Sequence, residues 1–405
     1  AGADGHGVEE LGVEATQQLR ERYVCSARRI VVKVGTSVLA SAGMPLNVER
    51  VASLSDQVAR LVRGGRQVVL VSSGAIGAGM AELAMAERPR TLPELQAAAS
   101  VGQGRLMSCY ESSFSTHGLH AGQILLTRED FESRQRYLNA SNTIRALFDL
   151  GCVPVINEND TVSTDEIRFG DNDLLAALVT HLIRAELLVL LTSVPGLYAE
   201  EPYPGAVCSV HQPAAQTGAK GAVVDIVDRV DEGILGLATG EKSAGGTGGM
   251  TSKLLAAQIA TEAGEAALVA DGTQDGILIR IMAGERVGTL FLPASKRLRS
   301  RKRWIRFTRR PGGTVVVDEG ARRALKEAGK SLLPSGVVAV EGRFEAGDIV
   351  RIKGPDGAEF ARGLSNYSSA DIVRIKGLKT VQIEAVLGHK YYDEIVHRDN
   401  LALTD

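Results

Sequence analysis

From Arg29 onward, short apolar runs alternate with segments of helical periodicity, and this alternation constrains the fold more than any other feature. Residues 30–34 form an apolar run interrupted only by Lys33, and residues 48–62 place apolar side chains at helical spacing until Gly64 and Gly65. Further strands are predicted at residues 68–71, 123–126, 153–156, 187–191 and 266–269. This alternation is typical of a largely parallel sheet with helices on both faces.

The pattern changes near residue 296. The segment 296–303 is dominated by Lys and Arg, and short β-like runs separated by glycine follow it, with one predicted helix over 321–329. The strands predicted here are 314–317, 336–340, 348–352, 359–361 and 381–385. We therefore predict a partly helical or disordered tail over 1–27, an α/β domain over 28–295 and a small β barrel over 296–405.

The net charge of −2 conceals two parts of opposite sign. Residues 296–405 carry 22 Lys+Arg and 14 Asp+Glu, a net of +8. The whole chain has 46 and 48, so residues 1–295 carry 24 and 34, a net of −10. Opposite charges suggest domains with different partners, and the basic part resembles an electrostatic footprint for RNA. A solvated linker with a purely structural or regulatory module is the alternative.

The spacing of the cysteines and the length of the apolar runs limit the class of protein. The four cysteines (Cys25, Cys109, Cys152 and Cys208) are isolated in sequence, which argues against a CxxC metal site and a disulfide scaffold. No apolar run approaches the roughly 18 residues that span a bilayer. The first residues lack the apolar core of a signal peptide. These features predict a cytoplasmic protein that does not enter a membrane.

Lys33 and the turns after two strands are candidates for binding an anion. A lysine inside an apolar strand is costly unless its ammonium group has a partner, and Gly35 follows with backbone donors. Ser73 and Gly74 follow the next strand, where a helix N-terminus suits a carboxylate or phosphate. The alternatives are a lysine that reaches solvent and a serine that only caps a helix.

Two further polar segments follow later strands. Asn157 to Asp160 come directly after an apolar run, and residues 170–173 place acidic and amide groups before an apolar helix. A Gly-rich turn at 246–249 then opens a helix with Lys253 in its first turn, where a cation opposes the helix dipole unless an anion is bound. The alternatives are a solvated loop with Asp171 as an N-cap and a flexible linker.

Two lysines and two glycine-rich turns suggest phosphoryl transfer, which depends on positioning and charge neutralisation. The chain has no GxxxxGK[ST] motif, so a P-loop is excluded. We expect Lys33 and Lys253 to flank the transferred group and Asp173 to hold both lysines in place.

Taken together, these segments resemble the amino acid kinase family and, within it, the glutamate 5-kinases. The matching segments are 31–39, 70–79, 98–106, 125–130, 154–162, 169–179, 190–198 and 246–253. The C-terminal part is similar to the PUA domain attached to many bacterial members, in segments 301–304, 317–325, 331–337, 341–350, 361–369 and 396–401.

The resemblance implies a three-layer sandwich of helices around a mostly parallel eight-stranded sheet, followed by a PUA-type β barrel. It implies ATP and Mg²⁺ as cofactors, L-glutamate as substrate and L-glutamyl 5-phosphate as product, in the first step of proline biosynthesis. Proline as an inhibitor, RNA bound by the C-terminal domain and a homo-oligomer are further implied partners and states.

The resemblance also assigns roles to residues. Lys33, Asp173 and Lys253 would be catalytic, with no metal ligand among the site residues. Glutamate would be bound by Ser73, Asp160 and Asn172. The nucleotide would be contacted by Lys33, Thr192, Ser193, Thr247, Gly248, Gly249, Met250, Thr251, Ser252 and Lys253.

Two departures from the family pattern lie on the nucleotide side. Thr192-Ser193 stands where the family usually has Thr-Asp, and Val194-Pro195 replaces polar residues. Residues 200–245 match poorly. Two rival functions remain open at this point: an aspartate, acetylglutamate, carbamate or uridylate kinase of the same superfamily, and an RNA-binding or regulatory protein with a degenerate kinase half.

Overall fold

The computed structural model describes residues 13–40, 46–163, 172–199, 206–213, 222–238, 249–294, 311–390 and 392–404. The chain forms two compact units, Ala1–Arg297 and Leu298–Asp405. None of the helices in these described ranges combines the length and apolarity needed to cross a bilayer.

The first unit alternates strands and helices. Its described helices are α1 (Val13–Arg20), α2 (Thr36–Leu39), α3 (Val48–Arg63), α4 (Ala75–Glu82), α5 (Leu92–Ser115), α6 (Arg128–Glu132), α7 (Arg134–Asp149), α8 (Asn172–Ile183), α9 (Glu232–Gly236), α10 (Met250–Glu262) and α11 (Ile277–Met282). Its described strands are β1 (Arg29–Val34), β2 (Gln67–Ser72), β3 (His120–Leu126), β4 (Cys152–Glu158), β5 (Leu187–Thr192), β6 (Tyr198–Ala199), β7 (Ala206–Pro213), β8 (Ala222–Val227), β9 (Ala266–Asp271) and β10 (Thr289–Phe291).

These ten strands form one sheet in the order β3-β4-β2-β1-β5-β9-β10-β8-β6, with β7 also paired to β8. All neighbours from β3 to β9 are parallel, whereas β10 is antiparallel to β9 and parallel to β8. The predicted mostly parallel sheet is therefore confirmed. The described sheet has two strands more than the eight expected, because the antiparallel strands β6 and β7 extend the β8 side.

The central strands read as continuous apolar runs because helices cover both faces. Val31 pairs with Val69 on one side and Leu188 on the other, and all three are fully buried. On one face, α4 and α5 cross so closely that a Cβ on Gly79 would lie 1.7 Å from the Ala98 carbonyl oxygen. Only glycine permits this crossing, which sets α5 against the end of β2.

Helix α1 lies within the stretch that the sequence suggested is a tail, yet it carries a completely buried arginine. The Arg20 Nη2 atom lies 2.5 Å from Asp225 Oδ1 on β8, and Nη1 donates to the carbonyl oxygens of Glu285 and Val287. Arg286 binds the other oxygen of Asp225. This network fastens α1 to β8 and to the residues before β10.

The second unit contains a five-stranded sheet in the order β12-β11-β13-β14-β15. Its strands are β11 (Gly313–Val317), β12 (Val337–Gly342), β13 (Ile349–Lys353), β14 (Glu359–Leu364) and β15 (Leu401–Leu403). Its described helices are α12 (Glu319–Lys326), α13 (Ser369–Ile375) and α14 (Ile383–Leu387). Valine, isoleucine and phenylalanine side chains from the sheet and helices form its separate core.

The strand predicted at 381–385 is wrong. A 3₁₀ turn over Thr380–Gln382 leads into α14, which ends at Leu387 and is capped by Gly388 with a φ of 80°. The alternation of Val381, Ile383 and Ala385 mimicked a strand, but Val381 is 81% exposed while Ile383 is buried. The basic cluster 296–303 lies outside the described residues.

Candidate active site

The candidate site lies where parallel strands end on either side of β1. After β1 the chain continues toward β2, whereas after β5 it continues toward β9 on the opposite side. Open α/β sheets bind ligands at such a reversal of strand order, beyond the carboxyl ends of the strands. The Gly35 N–H donates to the Leu191 carbonyl at 3.3 Å and joins the ends of β1 and β5 there.

Two buried lysines share one buried carboxylate at this position. Lys33 Nζ on β1 lies 2.6 Å from Asp173 Oδ1, and Lys253 Nζ on α10 lies 3.1 Å from Asp173 Oδ2. Ser252 Oγ donates to the same Oδ2 atom at 2.9 Å. Asp173 is in the first turn of α8, so the three residues come from three different elements.

The charge balance of this cluster favours an anionic ligand. Lys33 is 4% exposed, Lys253 is 5% exposed and Asp173 is fully buried. These three side chains bring two ammonium groups and one carboxylate together in a poorly solvated place, where electrostatic interactions are stronger than in water. The expected contacts of the Asp173 side chain with both lysines are present in the structure.

Asn172, the neighbour of Asp173, faces the turn after β2. Its Nδ2 atom donates toward Asn157 Oδ1 at 2.9 Å, Ser73 Oγ at 3.0 Å and the Ser72 carbonyl at 3.2 Å. Gly74 adopts a φ of 102° and begins α4 directly after Ser73. The structure thus brings the expected acceptor residues Ser73 and Asn172 into contact, beside Asp173.

The β2 end of the site is held by a neutral tyrosine. The Ser72 hydroxyl lies 2.9 Å from the Tyr110 hydroxyl of α5. Burial raises the pKa of Tyr110 to about 12, so the hydroxyl stays protonated. α5 is thereby fixed against the same turn that positions Ser73.

The other expected site residues differ in how deeply they are buried. Asp160 is partly buried in the turn after β4, whereas Thr192 ends β5 and is buried. Ser193 is exposed. Gly249 caps α10, and Met250, Thr251 and Ser252 form its first turn with Lys253. Thr247 and Gly248 lie outside the described residues.

Three contributions were not assigned from the sequence. Asn157 and Gln103 hydrogen bond to each other behind Asn172, and Ser252 binds the carboxylate of Asp173. Asn157 was included in a polar segment, but its contact with α5 depends on tertiary structure. No signal in the sequence pointed to Gln103, because a glutamine inside a helix breaks no local rule.

In the described part of the chain, no group of three or more His, Cys, Asp or Glu side chains could hold an ion. Asp173 is engaged by two lysines and a serine. This donor set fits a Mg²⁺ ion held chiefly by phosphate oxygens and water rather than by a protein cage.

Comparison with known proteins gives the family. A family model described as the amino acid kinase family matches residues 28–271, which includes Lys33, Asp173 and Lys253. The chain belongs to the amino acid kinase family. A second model, described as the PUA domain, matches residues 313–387.

Several relatives of this kinase share one name, glutamate 5-kinase. A protein of Pelobacter propionicus named glutamate 5-kinase is 48% identical over 385 residues, which cover 95% of this chain and 100% of the relative. Proteins with that name from Geobacter sulfurreducens and Moorella thermoacetica are 47% and 49% identical. These alignments cover 95% and 93% of this chain, and 100% and 96% of the relatives.

Proposed function

We propose that this kinase transfers the γ-phosphoryl group of ATP to the side-chain carboxylate of L-glutamate and forms L-glutamyl 5-phosphate. The observation that carries the proposal is the pair of buried lysines on Asp173, at the strand ends of a chain 48% identical to a protein named glutamate 5-kinase. The similarity extends over both units, so it includes the acceptor side as well as the lysines.

The chemistry needs alignment and charge more than proton transfer. A glutamate carboxylate has a pKa of about 4.3 and is ionised at neutral pH, so it attacks phosphorus without a general base. Lys33 and Lys253 stabilise the charge that spreads over the transferring phosphoryl oxygens. Asp173 positions both ammonium groups and limits their mutual repulsion.

The acceptor side uses neutral and acidic groups to recognise the amino-acid end of glutamate. The Nδ2 atom of Asn172 already faces three oxygens, so its Oδ1 atom is directed elsewhere and can accept a hydrogen bond from an ammonium group. Asp160 supplies a negative charge for the same ammonium group. Ser73 contributes its hydroxyl group to the acceptor.

The nucleotide side is formed by the end of β5 and the first turn of α10. Backbone N–H groups at a helix N-terminus bind phosphate. A phosphate bound there would offset the unfavourable position of the Lys253 cation in the first turn of α10. Thr192, Ser193 and residues 247–253 contact the nucleotide. Mg²⁺ supplies neutralisation of phosphate charge when it is bound.

Measurement of ADP release with a panel of acceptors tests the proposal. Glutamate should support ADP release, whereas aspartate, N-acetylglutamate, carbamate and uridylate should not. Hydroxylamine in the same mixture should trap an acyl phosphate as a hydroxamate. ADP release that is stimulated by another acceptor, and not by glutamate, would refute the proposal.

Further partners stay predictions. Proline is the predicted inhibitor, and the same assay with and without proline tests it. RNA binding by the C-terminal unit, a homo-oligomeric state and a cytoplasmic location also stay predictions.

A further inference from the structure

Three carboxamide side chains lie in a row behind the acceptor side of the site. Asn172 Nδ2 donates to Asn157 Oδ1 at 2.9 Å, and Asn157 Nδ2 donates to Gln103 Oε1 at 2.9 Å. The residues come from α8, β4 and α5 respectively. We call Gln103, Asn157 and Asn172 the amide row.

The direction of the amide row is fixed by backbone groups. The Glu158 N–H donates to Asn157 Oδ1 at 2.9 Å, so this atom must be the oxygen of the carboxamide. The Asn157 NH₂ group then faces Gln103, which must present its oxygen. At the other end, the Ser72 carbonyl accepts only, so Asn172 must present its NH₂ group there.

This arrangement leaves one polar group of Gln103 without a hydrogen bond to any described residue. Its Nε2 atom is buried and has no hydrogen-bond partner within the described residues, and the side chain is only 9% exposed. Buried polar groups are nearly always paired, so such an exception needs a reason. Turning the Gln103 amide over would oppose two NH₂ groups, so the bond to Asn157 determines its orientation.

The consequence appears at the opposite end of the amide row. With its NH₂ group occupied, Asn172 has no described donor to its Oδ1 atom. If Asn157 lost its contact with Gln103, its buried NH₂ group would be unpaired, and its side chain would shift toward another acceptor. Asn172 would then lose one of the three acceptors that position its NH₂ group, and the direction of its oxygen toward the substrate would be less well defined.

We propose that Gln103 is a positioning residue for acceptor specificity, which acts through Asn157 to keep the Asn172 oxygen directed at the ammonium group of the acceptor. This inference rests on the proposed function, in which Asn172 binds glutamate. Gln103 is suited to the task because α5 is held beside the β2 turn by the Tyr110–Ser72 hydrogen bond and by the close crossing with α4.

The test compares two substitutions of Gln103 with a matched control. Gln103→Met keeps the shape and removes the acceptor oxygen, whereas Gln103→Glu keeps an acceptor whose burial favours the neutral acid. The control is Gln57→Met, because Gln57 is also buried, accepts from the Leu278 N–H at 2.9 Å and belongs to α3 and not to the amide row. The measurements are the Tm, kcat, the KM for glutamate and for ATP, and the kcat/KM ratio of glutamate to glutarate, which lacks the amino group.

Gln103→Met should raise the KM for glutamate about tenfold and leave the KM for ATP unchanged. The ratio of kcat/KM for glutamate to that for glutarate should fall about tenfold, the effect of losing one charged hydrogen bond. Gln103→Glu should restore most of this preference, and Gln57→Met should change only the Tm. The inference is overturned if Gln103→Met leaves the ratio at the wild-type value, or if Gln103→Glu is no better than Gln103→Met. Wild-type protein without activity on glutamate would instead refute the proposed function.

Discussion

At the residue scale, Asp173 is the group on which the phosphoryl site depends. A single buried lysine would lose its charge readily, and two without a carboxylate would repel each other. With Asp173 between them, Lys33 and Lys253 hold fixed positions close to each other.

The first prediction concerns the lysines. Lys33→Met and Lys253→Met should each lower kcat about 10²–10³-fold, because each removes a preorganised charge that matters most in the transition state. The KM for glutamate should change far less. Steady-state kinetics measure both, and Lys376→Met, at an exposed lysine of the second unit, is the control. Near-normal kcat in both variants would remove the lysines from the phosphoryl site.

The second prediction concerns the acceptor. Asp160→Asn should raise the KM for glutamate about 10–150-fold, which corresponds to the loss of about 1.5–3 kcal/mol of charged hydrogen bonding. The KM for ATP should stay near its wild-type value. An increase confined to ATP would place Asp160 on the nucleotide or metal side.

Single residues were predictable where they broke a local rule. Lys33 interrupts an apolar strand and Lys253 opposes a helix dipole, so both stood out without any structure. Gln103 breaks no rule of its own helix, and its contact with Asn157 joins residues 54 positions apart. Such contacts depend on how α5 packs, which periodicity alone does not specify.

At the scale of elements, apolar runs predicted the strands well. β1, β2, β4, β5 and β9 are buried on both faces, so their sequences are continuously apolar and need no alternation. The strand prediction for 381–385 was wrong because a short half-buried helix can imitate the alternation of a strand. α1 was missed as part of the unit because its anchor is Arg20, a residue type that usually lies in solvent.

The third prediction concerns this anchor. Burial alone would raise the pKa of Asp225, but the Arg20 and Arg286 guanidinium groups hold it below the ordinary value. Asp225→Asn should therefore lower the free energy of unfolding at neutral pH by about 3–5 kcal/mol, since it leaves the buried Arg20 guanidinium without its carboxylate partner. Urea denaturation measures the loss.

The pH dependence follows from the direction of that pKa. A lowered folded-state pKa gives a stabilising contribution that is complete above the unfolded value of about 3.9 and is lost as the pH falls through the folded value. The difference between wild type and Asp225→Asn should narrow below about pH 3.9. Asp275→Asn, at a fully exposed carboxylate, is the control. A difference that is constant with pH would contradict the ion pair.

At the scale of the whole molecule, the candidate catalytic residues all belong to the first unit. Each unit has its own hydrophobic core and its own sheet. The change of pattern near residue 296 and the opposite charges of the two parts were visible in the sequence. The partner of the basic part was not, because charge alone does not distinguish RNA from a solvated surface.

The fourth prediction concerns this division. A protein ending at residue 297 should fold and keep glutamate-dependent ADP release, because its core is complete without the second unit. Circular dichroism and the acceptor assay measure the two properties. A truncated protein that is folded but inactive would show that the second unit contributes to catalysis. Salt-sensitive binding of RNA by the full chain, and not by the truncated one, would support RNA as the partner of the second unit.

The central claim is that the side-chain carboxylate of glutamate attacks the γ-phosphorus of ATP, and oxygen labelling tests it most directly. The purified kinase is supplied with ATP and with glutamate carrying ¹⁸O in the side-chain carboxylate. In the acyl phosphate, the α-amino group attacks the acyl carbon, closes a five-membered ring and expels phosphate that retains the bridging oxygen. Mass spectrometry should find one ¹⁸O atom in the released phosphate. Unlabelled phosphate would mean that water attacks ATP and would contradict the account.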